Sequence, residues 1–589
     1  MNHIAREFLG RLHEEEISFM EKLKDDEIGL RLLTAIKEFD WYYYNYIRSE
    51  PTEDADVHMH LLQLGLPKVI AGVLHGVPKF VAPVVTFKSD DSQIRDAFEF
   101  VAGCGFIEQG RRLVHAAMAG ECEIVRFDDR QYDIVMPDMV RNMEHHESVV
   151  ERHYKSLFRA QSDAALQEVF GPRMNRINEL LKENVYVFAR SWMGYDAHPE
   201  LDDFFYLMAS NEIQDQNGYD TFNAAVTFGG VTMQKYILAT TYFLSLALKH
   251  EKFAETLVEK EPDIRLRDIL TITTPRQRFE DELIEALNEF GPHYDGYTPL
   301  TRDEAKTILR VLSVRRDNLA MLTPTMAPLP FLVEYSDTAW ITSVASVRMA
   351  AVPFLLDSLR HCFPADYDRN QQRREGSMQR ALRGMLEDYI PGLHLAGNVG
   401  VRKNGRLLTD IDFGAVDPAD GTVILFQLKH QDHYGGDIRR RSNRSGRLVR
   451  EVSHWLEVVR TWLSEEPDAL RHALRLPARA KCGRVYLVVI GRHFAHFVST
   501  LDLRDDAAYA TWFQLFDAFN RQRAEGRSQS LLGLADILQR YMSHVMAKPY
   551  EYDLLDSYHL TKVSYRIRPA SAGGEDVGKT PGEDTGSPA

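Results

Sequence analysis

Apolar residues recur at helical spacing through most of the first 350 positions. Ile4, Phe8, Leu9, Leu12 and Ile17 form one stripe, and Ile28, Leu30, Leu33, Ile36 and Phe39 form the next. The pattern predicts a mainly α-helical region, with longer helices over about 138–160, 163–190, 221–250, 264–290 and 302–320. Two segments break it: the Val-rich run from Pro78 to Phe87, and Glu121 to Pro137, whose apolar stretches flank Asp128-Asp129-Arg130 and predict a hairpin. After Pro364 the order becomes helix (371–389), strand (394–402), two strand-like runs around Pro418-Ala419-Asp420-Gly421, helix (448–463) and strand (484–490). That succession is an α/β unit with a central mixed β-sheet. From about Pro569 the one large apolar residue is Val577, and the tail is expected to be disordered.

The chain therefore divides into a helical amino-terminal domain with a hairpin (1–137), a helical sensor or assembly domain (138–350), an α/β domain (351–568) and a tail (569–589). A length of 589 residues, at roughly 100–200 residues per domain, agrees with several domains. With 44% apolar and 26% charged residues, a fibrous or mostly disordered chain is excluded. Cys104, Cys122, Cys362 and Cys482 are too scattered for a disulfide framework or a CxxC zinc site, and predict buried thiols in a reducing compartment. The start, MNHIAREFLGRLHEEE, lacks a basic region followed by an apolar one, and no stretch approaches 18 uninterrupted apolar residues. The expectation is a soluble cytoplasmic protein without a membrane partner.

A net charge of −16 argues against nucleic acid as a partner until its distribution is examined. From Arg369 to Arg492 there are 22 Lys/Arg and 14 Asp/Glu, a net of +8, which leaves −24 for the rest. One basic segment sits inside an acidic chain.

Several motifs lose to simpler readings. Gly573, Gly578, Lys579 and Thr580 match a phosphate-loop pattern, but Pro581-Gly582 follows where a helix is required. His145, His146, Glu147 and His153 approach an HExxH zinc motif, but Val150 stands where the second His belongs. Trp41-Tyr42-Tyr43-Tyr44 with Tyr46 offers base-stacking rings, yet its spacing fits core and interface packing.

The stretch from Leu407 to Gln431, LLTDIDFGAVDPADGTVILFQLKHQ, carries more. If Ala419 and Asp420 centre the turn, antiparallel partners have numbers summing to 839, and Asp412 lies opposite Gln427. Lys429, two residues on, returns to the same face. An acid, an amide and an amine then converge at the end of an apolar strand, where a lysine is costly without a partner or a task.

Asp412, Gln427 and Lys429 resemble the Asp…QxK variant of the PD-(D/E)xK nuclease superfamily, of the Mrr-like restriction endonuclease type. The resemblance covers roughly residues 365–500, and the order of helices and strands matches that family; Glu375 matches an acidic residue that many relatives place beside the site. The sequence departs from the pattern in lacking a Pro before the acid, and Asp410 offers an alternative carboxylate. The resemblance implies a restriction-endonuclease-like α/β domain and a Mg²⁺-dependent endonuclease, with Mn²⁺ as a substitute. It assigns Asp412, Gln427 and the Leu428 backbone carbonyl as metal ligands, with Asp410 or Glu375 completing the set. Lys429 would hold the attacking water or stabilise the developing charge.

Downstream, Arg439, Arg440, Arg441, Arg444 and Arg447 form a flexible arginine-rich segment that would clamp a DNA backbone, and double-stranded DNA is the expected partner. His430, His433 and His454 read as polar surface or supporting residues. The helical region would serve restraint, targeting or assembly, as a homo-oligomer or with a partner protein; a role in restriction or antiphage defence is analogy. Two other readings stand beside this one: a salt-bridged hairpin without catalysis, and a helical scaffold whose nuclease-like domain only binds nucleic acid or protein.

Overall fold

The structure, a computed structural model, describes residues 3–22, 28–49, 52–76, 88–120, 122–136, 164, 167–215, 221–325, 327–371, 373–430, 438–466, 468–477, 480–492, 506–524, 529–546 and 557–569. The chain opens with helices His3–Glu21, Ile28–Tyr46, Glu53–Gly76 and Asp91–Ala119. The last begins at an Asp90/Gln93 capping box and ends at Gly120, whose left-handed φ of 78° turns its N–H back to the Ala116 and Ala117 carbonyls. The 53–76 and 91–119 helices touch backbone to backbone. A Cβ on Gly65 would lie 1.9 Å from the Val101 carbonyl oxygen, and one on Gly105 2.1 Å from that of Leu61. By length and composition the Ala55–Gly76 span is apolar enough to cross a membrane; 61% of its most apolar window is buried within the fold.

Strands β1 (Glu123–Arg126) and β2 (Gln131–Met136) form the expected hairpin, with Asp128 accepting the Arg130 and Gln131 N–H groups at 2.7 Å. The amino-terminal region is mainly helical, as the periodicity predicts, including Met174–Asn184, Pro199–Asp215, Met233–Lys260, Arg276–Phe290, Arg302–Val311 and Val344–Cys362. Short strands interrupt the helices expected over 163–190, 221–250 and 264–290, and that over 302–320 gives way to strand after Val311. Two hairpins pair β3 (Val185–Phe188) with β4 (Trp192–Tyr195) and β5 (Thr227–Phe228) with β6 (Val231–Thr232). A sheet ordered β7-β10-β9-β8 joins β7 (Ile272–Pro275), β8 (Ser313–Val314), β9 (Leu332–Ser336) and β10 (Ala339–Thr342). Every residue of β10 is buried, so it carries no alternation by which a strand is told from a buried helix segment. The helix expected over 138–160 and the Pro78–Phe87 run lie outside the described residues.

After Pro364–Gln371, the helix Arg374–Tyr389 leads into an antiparallel meander of β11 (His394–Lys403), β12 (Arg406–Val416) and β13 (Val423–Lys429). The helix Ile438–Glu465 precedes β14 (Val485–Gly491), which runs parallel to β13, and β15 (Ala507–Thr511) adds in parallel to β14. The sheet order is β11-β12-β13-β14-β15, and central β13 is buried at every position before Lys429. Its continuous apolar run follows from that position, with neighbours on both edges and helices against it.

The last described segment leaves this sheet. β16 (Ser557–His559) pairs with β17 (Ser564–Pro569), and β17 runs parallel to β2, giving the order β1-β2-β17-β16. Glu15, 1% exposed, accepts the Thr561 and Lys562 N–H groups at 3.1 and 2.7 Å, while Asp133 binds Arg566 at 2.7 Å and Arg568 at 2.9 Å. Residues 557–569 thus belong structurally with the first helices rather than with the sheet of 351–568.

The cores also divide elsewhere than at the expected boundaries. The largest cluster of buried side chains runs from Leu32 to Tyr367, across both 137/138 and 350/351, and the second runs from Met378 to Tyr541. The division falls between Tyr367 and Met378 because the 344–362 helix buries Phe354, Leu355 and Leu359 completely in the first cluster. Fully buried Lys37 pairs with Asp268 at 2.9 Å, and Asp40 accepts from the Thr271 and Ser343 hydroxyls and the Ala345 N–H. Burial pushes Asp40 up to about 6 against those donors.

Gly105→Ala should cost about 2–3 kcal/mol of stability, since helix backbone stands where the methyl must go. Gly76→Ala, which meets nothing within 4 Å, should be neutral or stabilising by up to about 1 kcal/mol. Urea unfolding compares the two, and equal midpoints would refute the glycine contact.

Candidate active site

The β12–β13 turn is closed by Asp417. Its N–H donates to the Thr422 carbonyl at 2.9 Å, its carbonyl accepts from Gly421 at 2.8 Å, and its Oδ1 accepts the Ala419 N–H at 2.9 Å. Gly421 has a left-handed φ of 85° with Lys481 and Gly483 close by, a conformation and proximity that favour glycine. The ladder runs from Phe413↔Phe426 to Val416↔Val423, so partner numbers sum to 839, as the turn predicts.

That ladder stops one pair short of Asp412 and Gln427, and the Asp412 carboxylate takes its place. Oδ2 accepts Gln427 Nε2 at 2.8 Å and the Leu428 N–H at 2.6 Å. In continued register Leu428 would face Ile411; here a carboxylate stands in as its partner. A residue's N–H and C=O leave a strand on the same side, so the Leu428 carbonyl faces this opening as well. Two helices hold the spot from outside. Gln379 donates through Nε2 to the Asp412 carbonyl, and Trp455 Nε1 donates to the Asp410 carbonyl at 2.9 Å.

Lys429, 19% exposed, lies on the same strand face as Gln427, with Nζ 3.8 Å from Glu451 Oε2. Glu451 also binds Arg447 Nε at 2.6 Å. The Glu375 carboxylate accepts the His430 N–H; it is raised by desolvation in the cleft, with the Lys429 charge opposing, although much of the residue is exposed. Burial pushes Asp412 up to about 7; the Leu428 N–H opposes the rise and the Glu375 charge adds to it. Gln427 is 6% exposed, and its Oε1 has no hydrogen-bond partner among the described residues. A buried acceptor left this way is costly unless something else binds it.

The structure thus brings Asp412, Gln427, Lys429 and Glu375 together. Asp410 is exposed but shares the face of Asp412 by strand period, and its charge contributes to raising Asp412. The donor set is one carboxylate beside an amide oxygen, a carbonyl and Glu375. No group of three His, Cys, Asp or Glu among the described residues is placed to hold a metal ion. The arginine-rich segment is helical from Ile438, so Arg439, Arg440 and Arg441 fall in the first turn of that helix rather than in a flexible loop; their side chains lie outside the described residues. Cations there oppose the helix dipole, and a bound phosphate favours it. Arg444 and Arg447 share the helix face of Glu451 by their spacing.

Glu451, Gln379 and Trp455 were not singled out from the sequence. Gln379 is one turn beyond Glu375 and Glu451 one turn beyond Arg447, so helical spacing carried a signal for both; Trp455 had none. His430 is buried beside Glu375 and Arg492, and His454 is exposed, while His433 lies outside the described residues. A cavity of about 260 Å³ opens there, walled by Phe222, Asn223 and Ala224 from the amino-terminal region and by Ser377, His430 and Arg492. The Trp41–Tyr46 rings pack against the large core, which is the packing role expected. Of the cysteines, Cys104 alone is buried and the other three are half-buried. The histidine cluster at 145–153 and the phosphate-loop match at 573–580 lie outside the described residues.

Comparison with protein-family models, curated proteins and solved structures returned no match.

Because the Asp412 carboxyl rises from an ordinary 3.8 to about 7, it stays protonated in the fold at pH values where the unfolded chain ionises. Without metal, stability should fall as pH rises from 4 to 7 and level off above. Asp412→Asn should therefore be about 1–2 kcal/mol more stable than the parent at pH 8 in EDTA, discounted for partial exposure, and equal to it below pH 4. Denaturant unfolding across pH checks this; a less stable variant at pH 8 would contradict the buried-carboxylate account.

Proposed function

We propose that the chain is a Mg²⁺-dependent phosphodiesterase acting on DNA, with a restriction-endonuclease-like α/β domain attached to a helical regulatory region. The observation that carries this is the convergence of Asp412, Gln427 and Lys429 at the point where the β12–β13 ladder opens, with Glu375 brought in through the His430 N–H. The order of helix, antiparallel meander, helix and parallel strand supports the same reading, as does the basic charge of the segment.

The residues fit a hard divalent cation through oxygen donors: Asp412, Gln427 Oε1, which has no partner among the described residues, the Leu428 carbonyl, and Glu375 or Asp410. Bound there, Mg²⁺ would supply charge neutralisation at phosphate and a lowered pKa for water. Lys429 donates to the attacking water or to the phosphate oxygen on which charge develops; Glu451, at 3.8 Å, holds its ammonium in the cleft before substrate arrives. Arg444 and Arg447 lie along the helix leading away from that cleft, and contacts from this run to phosphates would position the duplex without reading bases. The acidic remainder of the chain would restrain the enzyme by competing with DNA for these cations.

Asp412→Ala should leave the fold intact and abolish nicking of plasmid in Mg²⁺, by at least 100-fold on the scale of removing a principal electrostatic group. Lys429→Ala should keep metal binding and lose turnover. If both variants cut at the parent rate, or purified parent never cuts duplex, single-stranded DNA or RNA in Mg²⁺ or Mn²⁺, the catalytic reading is wrong and the binding-only scaffold replaces it. Loss of cutting in Asp410→Ala with Asp412→Ala unaffected would move the centre to Asp410.

Changing Arg439, Arg440 and Arg441 to Glu should weaken DNA binding across sequences and flatten its dependence on salt, because phosphate contacts release counterions. Gel-shift titrations at two salt concentrations read both effects. Unchanged binding at low salt would make the run ordinary solvated surface.

A further inference from the structure

A second concave site lies in the amino-terminal region, where acidic residues are otherwise in excess. It is a pocket of about 390 Å³ between the 276–290 and 302–311 helices and strand β10, lined by Arg276, Lys306, Arg310 and Arg315 with Glu280 as its one acid. We propose that it binds a small phosphorylated molecule carrying at least two negative charges, such as a di- or triphosphate.

Charge placement carries the argument. Arg276 at the start of one helix, Lys306 and Arg310 on a second, and Arg315 just after β8 line one concavity, and Glu280 is turned toward Arg302 at 3.4 Å. Lys306 and Arg310 sit one helical turn apart, an unfavourable like-charge spacing, and neither forms an ion pair among the described residues. Arg310 lies in the last turn of its helix, where the dipole favours a cation, but that does not account for Lys306. Arg315 reaches Asp317 through Nη2 at 2.9 Å, yet its buried Nε has no hydrogen-bond partner among the described residues. A buried donor without a partner, beside two exposed cations that no described carboxylate pairs, is an arrangement an anion would complete.

The same geometry sets the kind of ligand. Arg276 covers the Trp340 ring at 4.4 Å and binds Glu334 at 3.0 Å, so that aromatic face is occupied and recognition rests on charge. Guanidinium forks favour phosphate oxygens, several of them in a compact group. The volume lies near the lower end of the roughly 300–1,000 Å³ range of small-molecule sites, which suits a free metabolite rather than a duplex. Nothing in this depends on the nuclease reading.

The test is calorimetric titration of the full chain with ATP, inorganic pyrophosphate and a twelve-nucleotide single strand, in EDTA so that no metal bridges phosphate to Asp412. ATP or pyrophosphate should bind the parent, and Lys306→Ala with Arg310→Ala should weaken binding by about tenfold or more. Lys306→Glu with Arg310→Glu should abolish it, with circular dichroism and melting temperature verifying the fold of both double variants. Binding of the oligonucleotide alone, binding unaltered by either double variant, or no binding of either phosphate compound to the parent would each overturn the proposal.

Discussion

At the open end of the β12–β13 hairpin, the Asp412 carboxylate accepts Gln427 Nε2 and the Leu428 N–H where a continued ladder would have paired backbone with backbone. Everything else in the proposed centre depends on that substitution. It stands where the ladder ends, on the side of β13 that the Leu428 carbonyl also faces, and Gln427 Oε1 is buried there without a partner among the described residues. It also places a carboxylate where burial pushes it up to about 7, a conformation that stability alone would not favour. Two donors at one oxygen hold it there, and a cation that required the ionised form would find those oxygens already arranged.

The surrounding scaffold explains why the opening persists. Gln379 fixes the Asp412 carbonyl from one helix and Trp455 the Asp410 carbonyl from another, so β12 is held through its backbone carbonyls beside the site. The second of these helices bears the arginines at its first turn and packs against the 91–119 helix of the amino-terminal region. That region reaches the cleft again through Phe222, whose ring lies under the Arg374 guanidinium at 3.8 Å. The chain closes on itself as well, since β17 joins the sheet of β1 and β2. Cleft and helical region are therefore in contact at several places, a physical route by which one would govern the other.

Much of the carboxy-terminal sheet was legible because its signals are local. Asp417 to Gly421 is a turn by residue type, and the turn alone fixes the 839 register that brings Asp412 opposite Gln427. The centre of the amino-terminal region was less legible. Strands such as Ala339–Thr342 are short and wholly buried, so neither length nor alternation separates them from helix. The placement of 557–569 was not legible at all, because its partners, Glu15 and Asp133, lie more than 400 residues away. The buried core of the amino-terminal region runs past position 350 to Tyr367, close to Pro364, after which the residue pattern changes. Within the site, helical spacing links Gln379 to Glu375 and Glu451 to Arg447, but only the placement of the helices against the sheet brings them to Asp412 and Lys429.

The most direct test of the central claim is anomalous scattering from crystals of the full chain soaked in Mn²⁺ without nucleic acid. The account predicts a manganese peak bound by Asp412, with Gln427 Oε1 and the Leu428 carbonyl turned toward it, and no such peak in crystals of Asp412→Asn. A parent crystal that diffracts well, contains manganese elsewhere, and shows the Gln427 and Leu428 hydrogen bonds to Asp412 with no metal between them would contradict it.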